Sequence, residues 1–279
     1  MDGTALATRI RTQVSAEVAE LGGLGLATVL VGDDPASHIY IGRKHEAARE
    51  AGIEPHDHQL PADTTEDVLL ALIDELNADD SVDGILVQLP LPDHIDEGRV
   101  LRAVSPHKDV DGFHPVSAGQ LYLDRPTFVP ATPLGIIALL EEYRVPLEGK
   151  RAVVVGRSTI VGKPAALLLL RSNATVTICH SRTADLSRHV SEADVLVAAV
   201  GKAGVVSKDM VKPGAAVVDV GMNRTTDGLR GDVDPDAAEV AGLITPVPGG
   251  VGPMTIAMLL RNTVKAANYR AGRLAFPGA

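Results

Sequence analysis

The chain has no tryptophan, only three phenylalanines and a single cysteine in 279 residues. With aromatics at 3% of the composition, the core has to be aliphatic, which suits stacked α/β layers better than an aromatic-rich β-sandwich. One cysteine excludes an internal disulfide, and Cys179 fits a reducing compartment. No apolar run reaches about 18 residues, so no membrane-spanning helix is expected. The opening MDGT leads into an amphipathic pattern, not the apolar run of a signal peptide. Positive charge is in the minority, 26 Lys and Arg against 36 Asp and Glu, for a net charge of −10. That balance argues against a general binder of nucleic acid or anionic membrane, while leaving room for a local cationic pocket. The expectation is a cytosolic (cytoplasmic) protein with neither nucleic acid nor membrane as partner.

The length suits one large or two medium domains. Residues 4–21 set Leu6, Ile10, Val14 and Val18 four apart, the stripe of an amphipathic helix. The run LGLATVLV (24–31) predicts a buried strand. Residues 35–52 predict a helix that Asp34 or Ser37 caps, Pro35 begins and Gly52 ends. Strands at 54–60 and 83–92 flank a helix opening at Thr64/Thr65, with Val68, Leu69, Leu72, Ile73 and Leu76 as its apolar positions. Prolines break the 83–92 strand. A helical stretch near 95–104 precedes a loop at 106–115, and another helix runs from 130 to about 143. Strands at 151–155, 174–179, 194–200, 215–220 and 243–245 then alternate with helical stretches, and a last helix covers 254–269. Strand and helix alternating in this way imply βαβ units and parallel sheets, hence an α/β fold in two domains.

Two stretches carry candidate chemistry. Tyr40 and Lys44 are four apart and share one helix face, an aromatic plate beside an amine. Alone, the pair reads first as a half-buried aromatic and a surface amine. In the second half, strand 151–155 runs into GRSTIVG (156–162) and an apolar helix. A strand, glycine turn and helix in sequence offer backbone N–H groups and a positive helix end to a pyrophosphate. The turn is one residue longer than the usual dinucleotide fingerprint, and Ser158 stands in place of its second glycine. An NAD site wants a carboxylate at the end of the next strand, on the ribose 2′-OH. This chain has Ser181 and Arg182 there, with Arg157 in the turn, which suits a 2′-phosphate. A dinucleotide bound here is expected to be NADP; the alternative is that these arginines are ordinary surface charge.

Eight blocks in order, PASHIYIGRK (35–44), DGILVQLPLP (83–92), KDVDGFHP (108–115), TPLGI (132–136), VVVGRSTIVGKP (153–164), CHSRT (179–183), DVGMNR (219–224) and TPVPGGVGPMT (245–255), resemble the bifunctional methylenetetrahydrofolate dehydrogenase/cyclohydrolase family. The last block, with its proline and glycine punctuation, is the most specific. The resemblance implies two reactions on one ligand. NADP takes a hydride from 5,10-methylenetetrahydrofolate, and water then opens the methenyl product to 10-formyltetrahydrofolate. It implies two α/β domains around a cleft that holds the folate: a catalytic domain over 1–118, with the helix from 254 to 279 packing back on it, and a Rossmann-like NADP-binding domain over 119–253. It implies a homodimer, through the cofactor domains, and a place in one-carbon metabolism and purine biosynthesis.

By motif position, the resemblance makes Lys44 the catalytic amine, Gln88 its partner and Asp111 the carboxylate that holds the pterin. Tyr40, Val87, Leu89, Pro248, Gly249 and Gly250 become substrate-binding, and Gly156, Arg157, Ser158, Ser181 and Met222 cofactor-contacting. The chemistry is consistent with these roles. A carboxylate can accept from the paired N–H donors of a pterin edge. A lysine moves protons at neutral pH only if burial or nearby positive charge lowers its pKa, and Gln88, being neutral, orients the amine without opposing that.

Departures from the family pattern are Ala131 in place of a common cysteine, Gly42 inside the helix, and a short N-terminus; none touches Lys44, Gln88 or Asp111. His56 and His58 share a strand face but lack a third ligand nearby, so no metal is expected. His107, His114, Asp109 and Cys179 are given no chemical role. The competing readings are a monofunctional methylenetetrahydrofolate dehydrogenase, a shikimate-type NADP-dependent dehydrogenase and, last, a non-catalytic NADP-binding module.

Overall fold

A computed structural model of the chain describes residues 1–226 and 228–277, with every side chain among them except that of Ala36. It divides into two compact units, one of Arg9–Val129 with Ile256–Ala279 and the other of Met1–Thr8 with Pro130–Thr255. The boundary expected at 118/119 falls inside a helix, Pro115–Tyr122, that stays with the first unit.

The first unit follows the alternation of its sequence: helix α1 (Gly3–Leu21), strand β1 (Leu24–Val31), α2 (Pro35–Glu50), β2 (Ile53–Leu60), α3 (Glu66–Ala78), β3 (Gly84–Val87), α4 (Glu97–Ala103) and α5 (Pro115–Tyr122). Its parallel sheet has the order β2-β1-β3. All eight residues of β1 are buried, as a central strand covered on both faces requires. Asp34 accepts from the Ser37 N–H at 2.9 Å and so caps α2, with Pro35 at its first position. Gly52, at φ +81°, takes the left-handed turn beyond it. Val29, Val31, Leu69, Ile73, Ile85, Val87 and Val100 form the aliphatic core. Burying each of these side chains contributes roughly 1.5–3 kcal/mol.

The second unit holds α6 (Ala131–Glu142), β4 (Arg151–Val155), α7 (Gly162–Arg171), β5 (Thr175–Cys179), α8 (Leu186–Ser191), β6 (Val195–Ala198), β7 (Ala216–Asp219), the hairpin strands β8 (Asn223–Thr225) and β9 (Gly228–Arg230), and β10 (Leu243–Ile244). Its five-stranded sheet is parallel, in the order β10-β7-β6-β4-β5. The β8–β9 hairpin is an addition that the sequence pattern did not announce. Cys179 lies fully buried in this core, where burial raises its thiol pKa and leaves a packing residue.

Helix α9 (Val251–Arg270) returns the chain to the first unit from Ile256 onward. There the guanidinium of Arg270 lies 2.7 Å from the buried Asp83 carboxylate, and Lys265 donates to the Thr127 carbonyl. Among the described residues no helix is long and apolar enough to cross a membrane.

Candidate active site

Helix α2 is held in rotation by a buried polar contact: His45 Nε2 and Thr28 Oγ1 of β1 are 2.6 Å apart. With His45 turned inward, the preceding residue sits about 100° round the helix, a consequence of 3.6 residues per turn. That residue is Lys44, half-buried, and its amine donates to Gln88 Oε1 at 3.0 Å. Gln88 follows the last residue of β3, and its own Nε2 donates to the Leu89 carbonyl at 2.7 Å. This second bond fixes which end of the amide faces the lysine.

Alternation along β3 sends Ile85 and Val87 into the core and leaves Gln88 toward Lys44. Val87 is 3% exposed, so a ligand contact from it falls to its backbone. Leu89 is half-buried against the same core.

Asp111 reaches this group because its loop runs alongside β3: Ile85 donates to the Lys108 carbonyl at 2.8 Å and bridges Asp109 in parallel. Burial pushes the Asp111 carboxyl up to about 6, with Lys44 pulling the other way. Burial likewise lowers the Lys44 pKa, opposed by the charge of Asp111. Gln88 alone was expected to face the amine; the structure adds a carboxylate that partly undoes the effect of burial. Tyr40, one turn before Lys44, is 39% exposed.

The neighbouring Asp109 is a structural residue. Its carboxylate accepts from the N–H groups of Phe113 and His114, each at 3.0 Å, and from the Ser117 hydroxyl at 2.7 Å. Burial nonetheless drives it up to about 7. His114 caps α5 by accepting from the Val116 N–H at 3.0 Å. No group of three or more His, Cys, Asp or Glu side chains among the described residues is arranged to hold a metal, and His56 and His58 are half-buried at alternate positions of β2, between its exposed Glu54, Asp57 and Gln59.

In the second unit the glycine turn is built for close approach. A Cβ on Gly156 would stand 2.2 Å from the Ala199 carbonyl oxygen, and one on Gly162 would stand 2.3 Å from that of Gly156. Ser158 Oγ accepts from the N–H groups of Val161 and Gly162, at 3.1 and 3.2 Å, so it closes the turn that leads into α7. Arg157 in the turn, and Ser181 and Arg182 after β5, are exposed. This donor set, with no carboxylate at the end of β5, fits the phosphate groups of NADP.

Met222 follows β7 and is carried by two buried carboxylates that sequence reasoning passed over. Asp219 accepts from the N–H groups of Gly221, Asp232 and Val233. Asp232 accepts from those of Val200, Gly201 and Lys202 and from the Asn223 amide. The only signal for them was the first residue of DVGMNR.

The loop Pro248–Gly249–Gly250 is pinned within the same unit. Gly249, at φ +105°, gives its carbonyl to the N–H groups of Gly3 and Thr4 at 3.0 and 3.1 Å. Gly250 is buried against Thr245 and Pro246, where a side chain would collide.

Residues 1–111 match the family model "Tetrahydrofolate dehydrogenase/cyclohydrolase, catalytic domain", and residues 130–271 match the corresponding "NAD(P)-binding domain". A relative from Paraburkholderia phytofirmans, named "Bifunctional protein FolD", is 56% identical over 277 residues, 97% of each chain. The crystal structure of a Campylobacter jejuni bifunctional methylenetetrahydrofolate dehydrogenase/cyclohydrolase superposes with a TM-score of 0.95 at 49% identity, over 96% of this chain and 98% of that one. A Trypanosoma brucei dehydrogenase-cyclohydrolase solved with NADP and an inhibitor gives a TM-score of 0.93 at 40% identity, over 98% of both chains. Matched in both halves and over nearly its whole length, the chain belongs to the tetrahydrofolate dehydrogenase/cyclohydrolase family.

Proposed function

We propose that this protein oxidises 5,10-methylenetetrahydrofolate to the 5,10-methenyl form with NADP as acceptor, and hydrolyses that product to 10-formyltetrahydrofolate. The observation that carries the second activity is the Lys44–Gln88 bond beside Asp111 in a half-buried setting. The first unit is the folate half and the second the NADP half.

NADP, when bound, supplies the acceptor for the hydride that leaves the methylene carbon. Arg157, Ser158, Ser181 and Met222, with the backbone at Gly156, hold the cofactor. Asp111 accepts from the pterin N–H groups, Tyr40 lies along the folate, and Leu89 and the Val87 backbone line it; in the second unit Pro248, Gly249 and Gly250 are the proposed substrate contacts. In the hydrolytic step a water oxygen bonds to the methenyl carbon and gives a proton to neutral Lys44. The ammonium returns that proton to the ring nitrogen as its bond to the carbon breaks, and the remaining hydroxyl proton leaves to solvent as the C=O forms, giving the formyl group and the one net proton that hydrolysis of the cation releases. The substrate is cationic before water adds, so it favours the neutral amine, as burial does. A pterin that donates into Asp111 also spreads that carboxylate's charge and weakens its pull on Lys44.

A second copy is the proposed partner. Strand β5 is an edge of its sheet, with Ile178 42% exposed and Leu170 of α7 58% exposed, a surface suited to pairing. Native mass in solution tests it, and a monomer at micromolar concentration ends that reading. The single buried thiol is consistent with a cytoplasmic setting, and the formyl product with supply of one-carbon units to purine biosynthesis.

The test of function is direct. Purified protein with methylenetetrahydrofolate and NADP should raise NADPH absorbance, and with methenyltetrahydrofolate should consume its absorbance faster than buffer does. No reduction of either nicotinamide cofactor overturns the whole reading. Methenyl loss at the background rate leaves a monofunctional dehydrogenase.

A further inference from the structure

The segment that presents Asp111 is fixed at nearly every polar atom. Lys108 O is taken by Ile85, and the Asp109 carboxylate by Phe113, His114 and Ser117. Val110 is fully buried and packs where Gly84 lacks a side chain, since a Cβ there would stand 2.4 Å from Val110 Cγ1. The carbonyl of Val110, directly before Asp111, is held by a residue 152 positions away. Asn262 of α9, itself 3% exposed, donates from Nδ2 to Val110 O at 2.7 Å and to Val129 O at 3.0 Å.

We infer that Asn262 is a positioning residue for Asp111, its amide setting where the carboxylate meets the pterin. This rests on the folate-binding role proposed for Asp111. Consecutive Cα atoms are about 3.8 Å apart, so a displaced Val110 carbonyl carries the next side chain with it. A paired hydrogen bond tolerates only a few tenths of an ångström of such movement. Asparagine suits the task because one nitrogen supplies two hydrogens to two buried carbonyls. Leucine would leave both carbonyls unmatched, and serine could serve only one.

The experiment compares wild type, Asp111→Asn, Asn262→Leu, Asn262→Ser and the double variant Asp111→Asn/Asn262→Ser. Folate KM and kcat are measured in the dehydrogenase direction, with NADPH affinity by fluorescence and thermal melting alongside. Asn262→Leu is expected to raise folate KM about tenfold or more, with NADPH affinity within about twofold of wild type, and Asn262→Ser to fall between. The double variant should be no worse in KM than Asp111→Asn alone, because both act through one carboxylate. If the leucine variant does not fold, the serine variant and the double variant carry the test. Wild-type KM in a folded Asn262 variant, or KM effects that multiply in the double variant, overturn the inference while leaving Asp111 in place. An unchanged KM in Asp111→Asn overturns the role of Asp111 and the inference with it.

Discussion

Lys44 and Asp111 oppose each other's response to burial. Burial favours the neutral form of both, lowering the pKa of Lys44 and raising that of Asp111 to about 6, while each charge favours its partner's charged form. The pair therefore retains some charge at neutral pH, in a setting where either group alone would lose more of it. A proton acceptor and an anionic pterin clamp can thus share one site.

Replacing Lys44 by methionine keeps the bulk of the side chain and removes the amine. Hydrolysis of methenyltetrahydrofolate should fall by about a hundredfold or more, the usual range for losing a positioned proton carrier. NADPH affinity should be unchanged, because the cofactor residues lie in the other unit. Hydration at the wild-type rate would show that Lys44 is not the proton carrier.

Asp111 sets a pH dependence whose sign is fixed. In its proposed role the carboxylate accepts from the pterin only when ionised, and burial pushes its pKa up to about 6. Folate KM should fall as pH rises through about 6, and this acid limb should vanish in Asp111→Asn. Folding stability runs the other way. With the native pKa above the unfolded value, the native state binds more protons between about pH 4 and 6, so stability declines as pH rises through that window. Asp109, up to about 7, extends the decline toward neutrality. A limb that persists in Asp111→Asn would assign it to another group.

The NADP selectivity proposed for this site would rest on exposed groups. Arg157→Ala should weaken NADPH binding by roughly tenfold to a hundredfold, the equivalent of about 1.5–3 kcal/mol for hydrogen bonds to a charged group. NADH binding should change by no more than about threefold, since it has no 2′-phosphate. Equal losses for both cofactors would mean that Arg157 serves the shared pyrophosphate.

Much of this was legible because it is local. Asp34, Pro35 and Gly52 mark α2 by cap and turn chemistry, and the largely apolar run of β1 announces a buried strand. Lys44 and Gln88 were placed together by motif, and they bond. The less legible features depend on long-range contacts. Helix α5, which begins where the 106–115 loop ends, has no assignment in the sequence reading because its start is fixed by His114 and by Ser117 bonding to Asp109, not by hydrophobic period. Asp219 and Asp232 are given no role by the sequence pattern, because what marks them is the set of backbone N–H groups they accept from, brought together only by the fold. The pull of Asp111 on Lys44 follows from a loop running beside β3, which periodicity does not encode.

Gly3 offers the sharpest steric test. It opens α1, where helix propensity favours alanine by about 1 kcal/mol. Its backbone, however, lies against the Pro248–Gly250 loop: its N–H donates to Gly249 O at 3.0 Å, and a Cβ would stand 1.8 Å from Gly250 O. Both partners are backbone, so neither can rotate aside as a side chain would. The overlap should outweigh the propensity gain and destabilise the protein by about 1–3 kcal/mol, the range for overpacking a close contact. Because the displaced loop is proposed to line the folate, Gly3→Ala should also raise folate KM while NADPH affinity holds. Thermal melting and the two binding constants check this. A variant that melts no lower than wild type and keeps its folate KM would show that the first turn of α1 yields freely and does not set the loop.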